Sequence, residues 1–193
     1  MSKLESKRNL GIAAEHYRRF IEAMGLDSAL ESAEKTAQRA TELIAMWTSS
    51  VNETSPTLST MPAPANSGWI GIEHIQFYSY CEHDMVPFFG IADLIFLPNE
   101  KIAGFGGFAR FIDYYSRKPQ IQEQLCQEIA DAIDLHLQPK ALLLRLSSRQ
   151  LCLEMRGRGA GILCTSYAER GLCSSDPQYL RIAQERLGKA SIH

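Results

Sequence analysis

Residues 77–89 read FYSYCEHDMVPFF, and this stretch decides how the chain is read. Into it runs a segment of period two: from Trp69, Ile70, Ile72, His74, Gln76, Tyr78 and Tyr80 alternate with Gly71, Glu73, Ile75, Phe77 and Ser79. That pattern predicts a strand reaching Cys81. Out of it runs a second segment, Val86 to Leu97, rich in β-branched and aromatic residues and closed by the turn residues Pro98-Asn99-Glu100. Two long strands therefore meet at a short corner made of Cys81, Glu82, His83 and Asp84. A thiol, two carboxylates and an imidazole in apolar, aromatic surroundings point to a site, with Cys81 and Asp84 as metal ligands and His83 working beside them.

Working outward, the helical segments flank this sheet signal. Residues 9–25 place Ile12, Ala13, Tyr17, Phe20, Ile21 and Met24 at helical spacing, and a second helix is predicted from Ser28 to Trp47. His16, alone on the first helix, reads as a surface or packing residue. Residues 48–68 are rich in Ser, Thr, Pro and Asn without a period, which predicts a linker or loop. The implied organisation is a helical extension over 1–50, a linker over 51–68 and a catalytic domain over 69–193.

Beyond the corner, Gly104-Phe105-Gly106-Gly107 opens a helix at about Phe108 to Arg117. It is not a P-loop, because no Gly-Lys-Ser/Thr follows. A stronger helix starts at Pro119, with Ile121, Leu125, Ile129, Ile133 and Leu137 every four residues and Glu123 in its first turn. Ala141 to Leu146 predicts a strand that continues through Met155 and Arg156, placing Gln150, Cys152, Glu154 and Arg156 on one side. Cys152 is thereby the partner that Cys81 needs. Cys126 and Cys164 read as core thiols and Cys173 as a loop residue. A strand near Ile162 to Ala168 and a helix from Asp176 to Leu187 complete an α+β pattern with antiparallel sheet.

Composition narrows the function classes. The 193 residues carry 20 Lys and Arg against 22 Asp and Glu, a formal charge of −2 with no long basic run, so nucleic acid is not an expected partner. No apolar stretch approaches membrane-spanning length and the first ten residues lack a signal-peptide core, which predicts a cytoplasmic protein without a membrane partner. Five widely spaced cysteines fit reduced thiols and metal ligands better than a disulfide framework.

With the Cys81-Glu82-His83 corner, the Pro119-Gln-Ile-Gln-Glu123 helix start and Cys152-x-x-x-Arg156-Gly157 in that order, the chain resembles GTP cyclohydrolase I over about residues 69–187. The resemblance implies the tunnelling fold, an antiparallel ββ-αα-ββ unit assembling into an oligomeric barrel, usually a homo-decamer. It implies hydrolysis at C8 of a guanine nucleotide, a C–N bond of a cyclic amidine, on the way to a pterin. It further implies zinc (Zn2+) at Cys81, Asp84 and Cys152, catalysis by His83, guanine held by Glu123 with Gln122, and phosphate held by Arg110 and Arg156.

The departures from that family fall on functional positions. Asp84 stands where a zinc-binding histidine is expected, so two thiolates and a carboxylate give a divalent site a formal charge of −1 and make another divalent metal more tolerable. Gln150 stands where a second active-site histidine is expected, and an amide cannot shuttle protons near neutral pH. Gly106 and Gly107 replace a serine and a lysine that face the triphosphate; Lys35 and Gln38 replace an arginine and a lysine. Three readings follow: a metal-dependent cyclohydrolase acting on a guanine nucleotide or a close relative, within which loss of the second histidine allows a reaction that ends at a formamidopyrimidine; a non-catalytic purine- or pterin-binding paralogue or regulatory partner; and a relative acting on another heterocycle such as a deazapurine nitrile.

Overall fold

The structure is a computed structural model and describes residues 8–157 and 161–188. The chain divides into two compact units between Thr54 and Ser55. In the first, α1 (Leu10–Ala23) and α2 (Ala33–Trp47) pack on each other. Each is started by a side chain that accepts a hydrogen bond from the exposed first-turn amides, Asn9 from Ile12 N–H and Ser32 from Lys35 N–H. Charge pairs line α1: Glu15 accepts from Arg18 and Arg19, and those two guanidiniums hold its carboxyl down to about 2.

The second unit holds the remaining elements in the order β1 (Thr60–Pro62), β2 (Ile70–Cys81), β3 (Pro87–Leu97), β4 (Lys101–Ala103), α3 (Phe105–Ser116), β5 (Pro119–Gln120), α4 (Gln122–Leu137), β6 (Ala141–Gln150), α5 (Leu151–Glu154), β7 (Cys164–Gly171), α6 (Leu172–Ser175) and α7 (Pro177–Leu187). The main sheet runs β5-β2-β3-β6-β7, antiparallel except for β5 beside β2, while β1 and β4 pair separately. The α+β class and the ββ-αα-ββ order expected from the sequence are both present. The predicted linker is not structureless: it contains β1, and Leu58 enters the core at 4% exposure.

One face of the sheet meets α3 and α4 and the other meets α6 and α7. Phe77, Phe88, Ala92, Leu94 and Phe96 of the sheet close on Phe108, Phe111 and Ile112 of α3 and on Leu125, Ile129, Ile133 and Leu137 of α4. The four-residue apolar spacing of α4 is thus a packed stripe. On the opposite face Ile95, Ala141 and Leu143 pack with Cys173, Ala183 and Leu187. Cys173 sits in α6 and is buried, not in a loop, and burial pushes its thiol up to about 11.

Two details set the sheet's register. The alternation of β2 does not run unbroken: the pairing with β3 slips between Ile72 and Ile75, and His74 takes a left-handed φ of 63°. This bulge lets Ile75 and Phe77 follow Ile70 and Ile72 onto the same core, so the face predicted to continue through His74 and Gln76 turns outward. Asp93, fully buried, receives the His74 amide at 2.7 Å and an ion pair from Arg145 at 2.8 Å. At the centre, Gly90 approaches β6 so closely that a Cβ there would lie 1.9 Å from the Ser147 carbonyl oxygen, which only glycine permits.

Candidate functional site

The corner predicted to hold the chemistry is a tight turn closing the β2–β3 hairpin. Cys81 N–H donates to the Val86 carbonyl and Met85 N–H donates to the Cys81 carbonyl, both at 2.9 Å, with Met85 in the left-handed region. Cys81 is held inward at the strand end; Glu82, His83 and Asp84 are exposed on the turn. His83 Nδ1 lies 3.6 Å from Cys81 Sγ.

Cys152 reaches the same place from the end of β6, across β3, though not as predicted. β6 stops at Gln150 and the chain turns into the single helical turn α5, continued by Met155 N–H to Leu151 O. A strand would have carried residues 152 and 156 about 13 Å apart; a helical turn brings them within about 6 Å. The turn is braced outside by Arg149, whose guanidinium grips Glu154 at 2.9 and 2.5 Å and lies over the Phe89 ring at 5.7 Å. That pairing lowers the Glu154 carboxyl and raises Arg149.

Donor atoms of Cys81, Asp84 and Cys152 lie within 4.8 Å of one another. Burial pushes the Cys152 thiol up, and the neighbouring Cys81 adds to it. Asp84 is also held by Arg156, Nη2 to Oδ1 at 2.6 Å. A second group among the described residues, Glu73, His74 and Asp93, also brings its donor atoms within 4.8 Å of one another. There Asp93 is already committed to Arg145 and the His74 amide.

Beside the cysteines runs an amide network. Gln122, 4% exposed, donates through Nε2 to Leu146 O, Cys164 O and Ser166 Oγ at 3.1–3.2 Å and accepts at Oε1 from Ser148 and from Gln150 Nε2 at 2.8 Å. Gln150 also donates to Ser148 Oγ at 2.9 Å, and its own Oε1 lies 4.0 Å from Cys152 Sγ. Gln122, expected at the substrate, is therefore turned into the protein. Ser148 and Ser166 were not singled out in the sequence, although Ser148 shares the period-two face of Gln150.

Glu123 is exposed at the first turn of α4, which follows β5, the strand pairing with Tyr80 and Cys81. It lines an open pocket of about 450 Å³ with Ile121, Gln124, Gln127, Thr165, Ser166 and Tyr167. Arg110 is exposed on α3. The first turn of that helix is occupied at Gly107, where a Cβ would meet Leu58 Cδ1 at 2.7 Å.

The sequence has counterparts among known proteins. The model of the GTP cyclohydrolase I family matches residues 13–186. The chain belongs to that family. GTP cyclohydrolase 1 of Deinococcus radiodurans is 35% identical over 164 residues, 83% of this chain and 76% of that protein. The enzyme of the same name from Finegoldia magna is 37% identical over 138 residues, covering 71% and 75%. That of Streptococcus sanguinis is 31% identical over 170 residues, covering 87% and 92%. The family match takes in both units, while the N-terminal helices resembled the family only by pattern. No helix among the described residues is long and apolar enough to cross a membrane.

Proposed function

We propose that this GTP cyclohydrolase I family member is a metal-dependent cyclohydrolase that opens the imidazole ring of a guanine nucleotide at C8. The observation that carries the reading is the meeting of Cys81, Asp84 and Cys152 within 4.8 Å, from two distant segments, with His83 beside them. The donor set fits a divalent ion: two sulfurs favour zinc, the carboxylate tolerates a harder metal, and three protein ligands leave a position open. Bound there, such an ion supplies Lewis-acid polarisation and an activated water.

The chain's own residues do the rest. His83, exposed at the turn, carries protons to the ring nitrogens as the C8–N bond opens. Glu123, at the mouth of the pocket between α4 and β7, takes the guanine N–H and amino group in two parallel hydrogen bonds. Gln150 has its amide engaged by Gln122 and Ser148 and exchanges no proton, so it orients groups near Cys152 without joining proton transfer. The reaction then ends at a formamidopyrimidine. Gln122 serves the site by holding Gln150, and Arg110 and Arg156 face the phosphate side.

The same reading makes residues 69–193 the catalytic domain, behind a helical extension over 1–50 and a linker over 51–68, within a cytoplasmic homo-oligomer of the family's decameric kind. Two features support assembly. No strand lies on the outer edge of β7 among the described residues, and α1 and α2 expose Ile12, Phe20, Met24 and Leu43 at 48–61%.

Purified protein incubated with GTP, GMP and guanosine, with products followed by mass spectrometry, tests the proposal. A formamidopyrimidine is expected; a product of pterin mass refutes the shortened reaction, and no turnover of any guanine compound refutes the activity. A second reading, a binding paralogue, is favoured by the engagement of Asp84 with Arg156 and of Gln150 with Gln122. Protein isolated without metal, and unaffected in stability by chelators, would support it.

A further inference from the structure

We propose that Arg156 is a positioning residue of the metal centre: it holds one oxygen of Asp84, aims the carboxylate at the two cysteines, and returns the centre's charge to neutral. The inference rests on the reading of Cys81, Asp84 and Cys152 as metal ligands.

Three observations carry it. Arg156 Nη2 donates to Asp84 Oδ1 at 2.6 Å, the length of a charge-assisted bond. An ionised carboxylate has about four acceptor positions, so one bond to Arg156 leaves the second oxygen wholly available. Next, the helical turn at Leu151–Glu154 delivers Cys152 and, four residues on, Arg156 to the same corner. One short element thus supplies both a ligand and the group that orients the other segment's ligand. Gly157 follows with a left-handed φ of 68°. Finally, the pair is exposed, with side-chain accessibilities of 62% for Arg156 and 30% for Asp84. Exposed pairs contribute little to stability, so folding does not account for it.

The charge argument points the same way. Two thiolates, one carboxylate and a divalent cation sum to −1, whereas a neutral third ligand would leave the centre uncharged. The guanidinium supplies the missing positive charge at hydrogen-bond distance from the residue that created the deficit. Groups that orient a ligand from outside commonly change metal affinity about 10–100-fold when removed.

The test is Co2+ and Zn2+ titration of the full chain, reading the dissociation constant and the Co2+–thiolate absorption. Arg156→Ala is expected to weaken Co2+ binding about 10–100-fold while the thiolate band persists, because both sulfurs remain. Arg156→Lys keeps the charge and should recover part of the loss. In an Asp84→Ala background, Arg156→Ala should cost nothing further, since the group it positions is gone. Melting curves of the metal-free variants should match the parent, given the exposure of Arg156. The inference is overturned if Arg156→Ala leaves affinity unchanged or tightens it, which would make Arg156 a competitor for Asp84. It is also overturned if metal affinity is untouched and only the KM for nucleotide moves, which would leave Arg156 a phosphate contact alone. If the unaltered protein binds neither ion, the metal-centre reading falls and takes the inference with it.

Discussion

Replacing Gln122 with methionine separates a scaffold role from a substrate contact. The change keeps length and approximate volume but removes every hydrogen bond of a side chain that is 4% exposed. Ser148, fully buried, loses its acceptor, and the Leu146 and Cys164 carbonyls each lose a donor. Leaving a buried polar group unsatisfied costs about 1–3 kcal/mol. The hydroxyl carries most of this because each carbonyl has a second lone pair, so Gln122→Met should cost about 3 kcal/mol. Urea denaturation followed by circular dichroism reads that loss as a midpoint lower by about 1–2 M, for an m-value of roughly 2 kcal/mol/M. Gln122→Glu should do worse near neutral pH, because a carboxylate would face two carbonyl oxygens and a hydroxyl where an amide now donates. The reasoning is refuted if Gln122→Met stays within about 0.5 kcal/mol of the parent while turnover collapses. Gln122 would then meet the substrate directly.

Other outcomes follow from the same structure. Arg145→Met leaves Asp93 charged and fully buried, which should cost about 3–5 kcal/mol, while the double change Asp93→Leu with Arg145→Met should recover most of it; thermal or urea unfolding of the set decides. The Cys126 thiol is pushed by burial from an ordinary value of 9.0 up to about 12, so between those values the unfolded chain has released a proton that the folded chain keeps. Stability should therefore fall as pH rises through that window, by up to about 1.4 kcal/mol per pH unit, and Cys126→Ala should flatten the slope. His83→Asn should lower kcat about 10²–10⁴-fold with metal content unchanged, as expected for loss of a proton carrier; a loss of bound metal instead would make His83 a ligand.

Much of the architecture is legible in the amino-acid sequence. The apolar repeat of α4 and the period-two run into Cys81 are local patterns, and local patterns report the face an element buries. The pairing of Cys81 with Cys152 is read from a half-polar strand face that does not form, since residues 151–154 coil, yet the two cysteines meet. The bulge at His74 was not legible. It is fixed by Asp93 and Arg145 on two other strands, which hold a backbone amide that sequence pattern does not reveal.

The sequence alone determined which chemical groups are present: two thiols, an imidazole and a carboxylate where a histidine was expected, and an amide at position 150. Their employment was decided only by tertiary structure. Whether residues 151–156 extend or coil depends on how β6 ends against its neighbours, and coiling brings Arg156 to Asp84 and Cys152 to Cys81. Likewise Gln122 reads as a substrate contact from its place beside Glu123, yet its side chain is claimed by β6 and β7. A side chain's role follows from the nearest unsatisfied partner, and that partner comes from a segment distant in sequence.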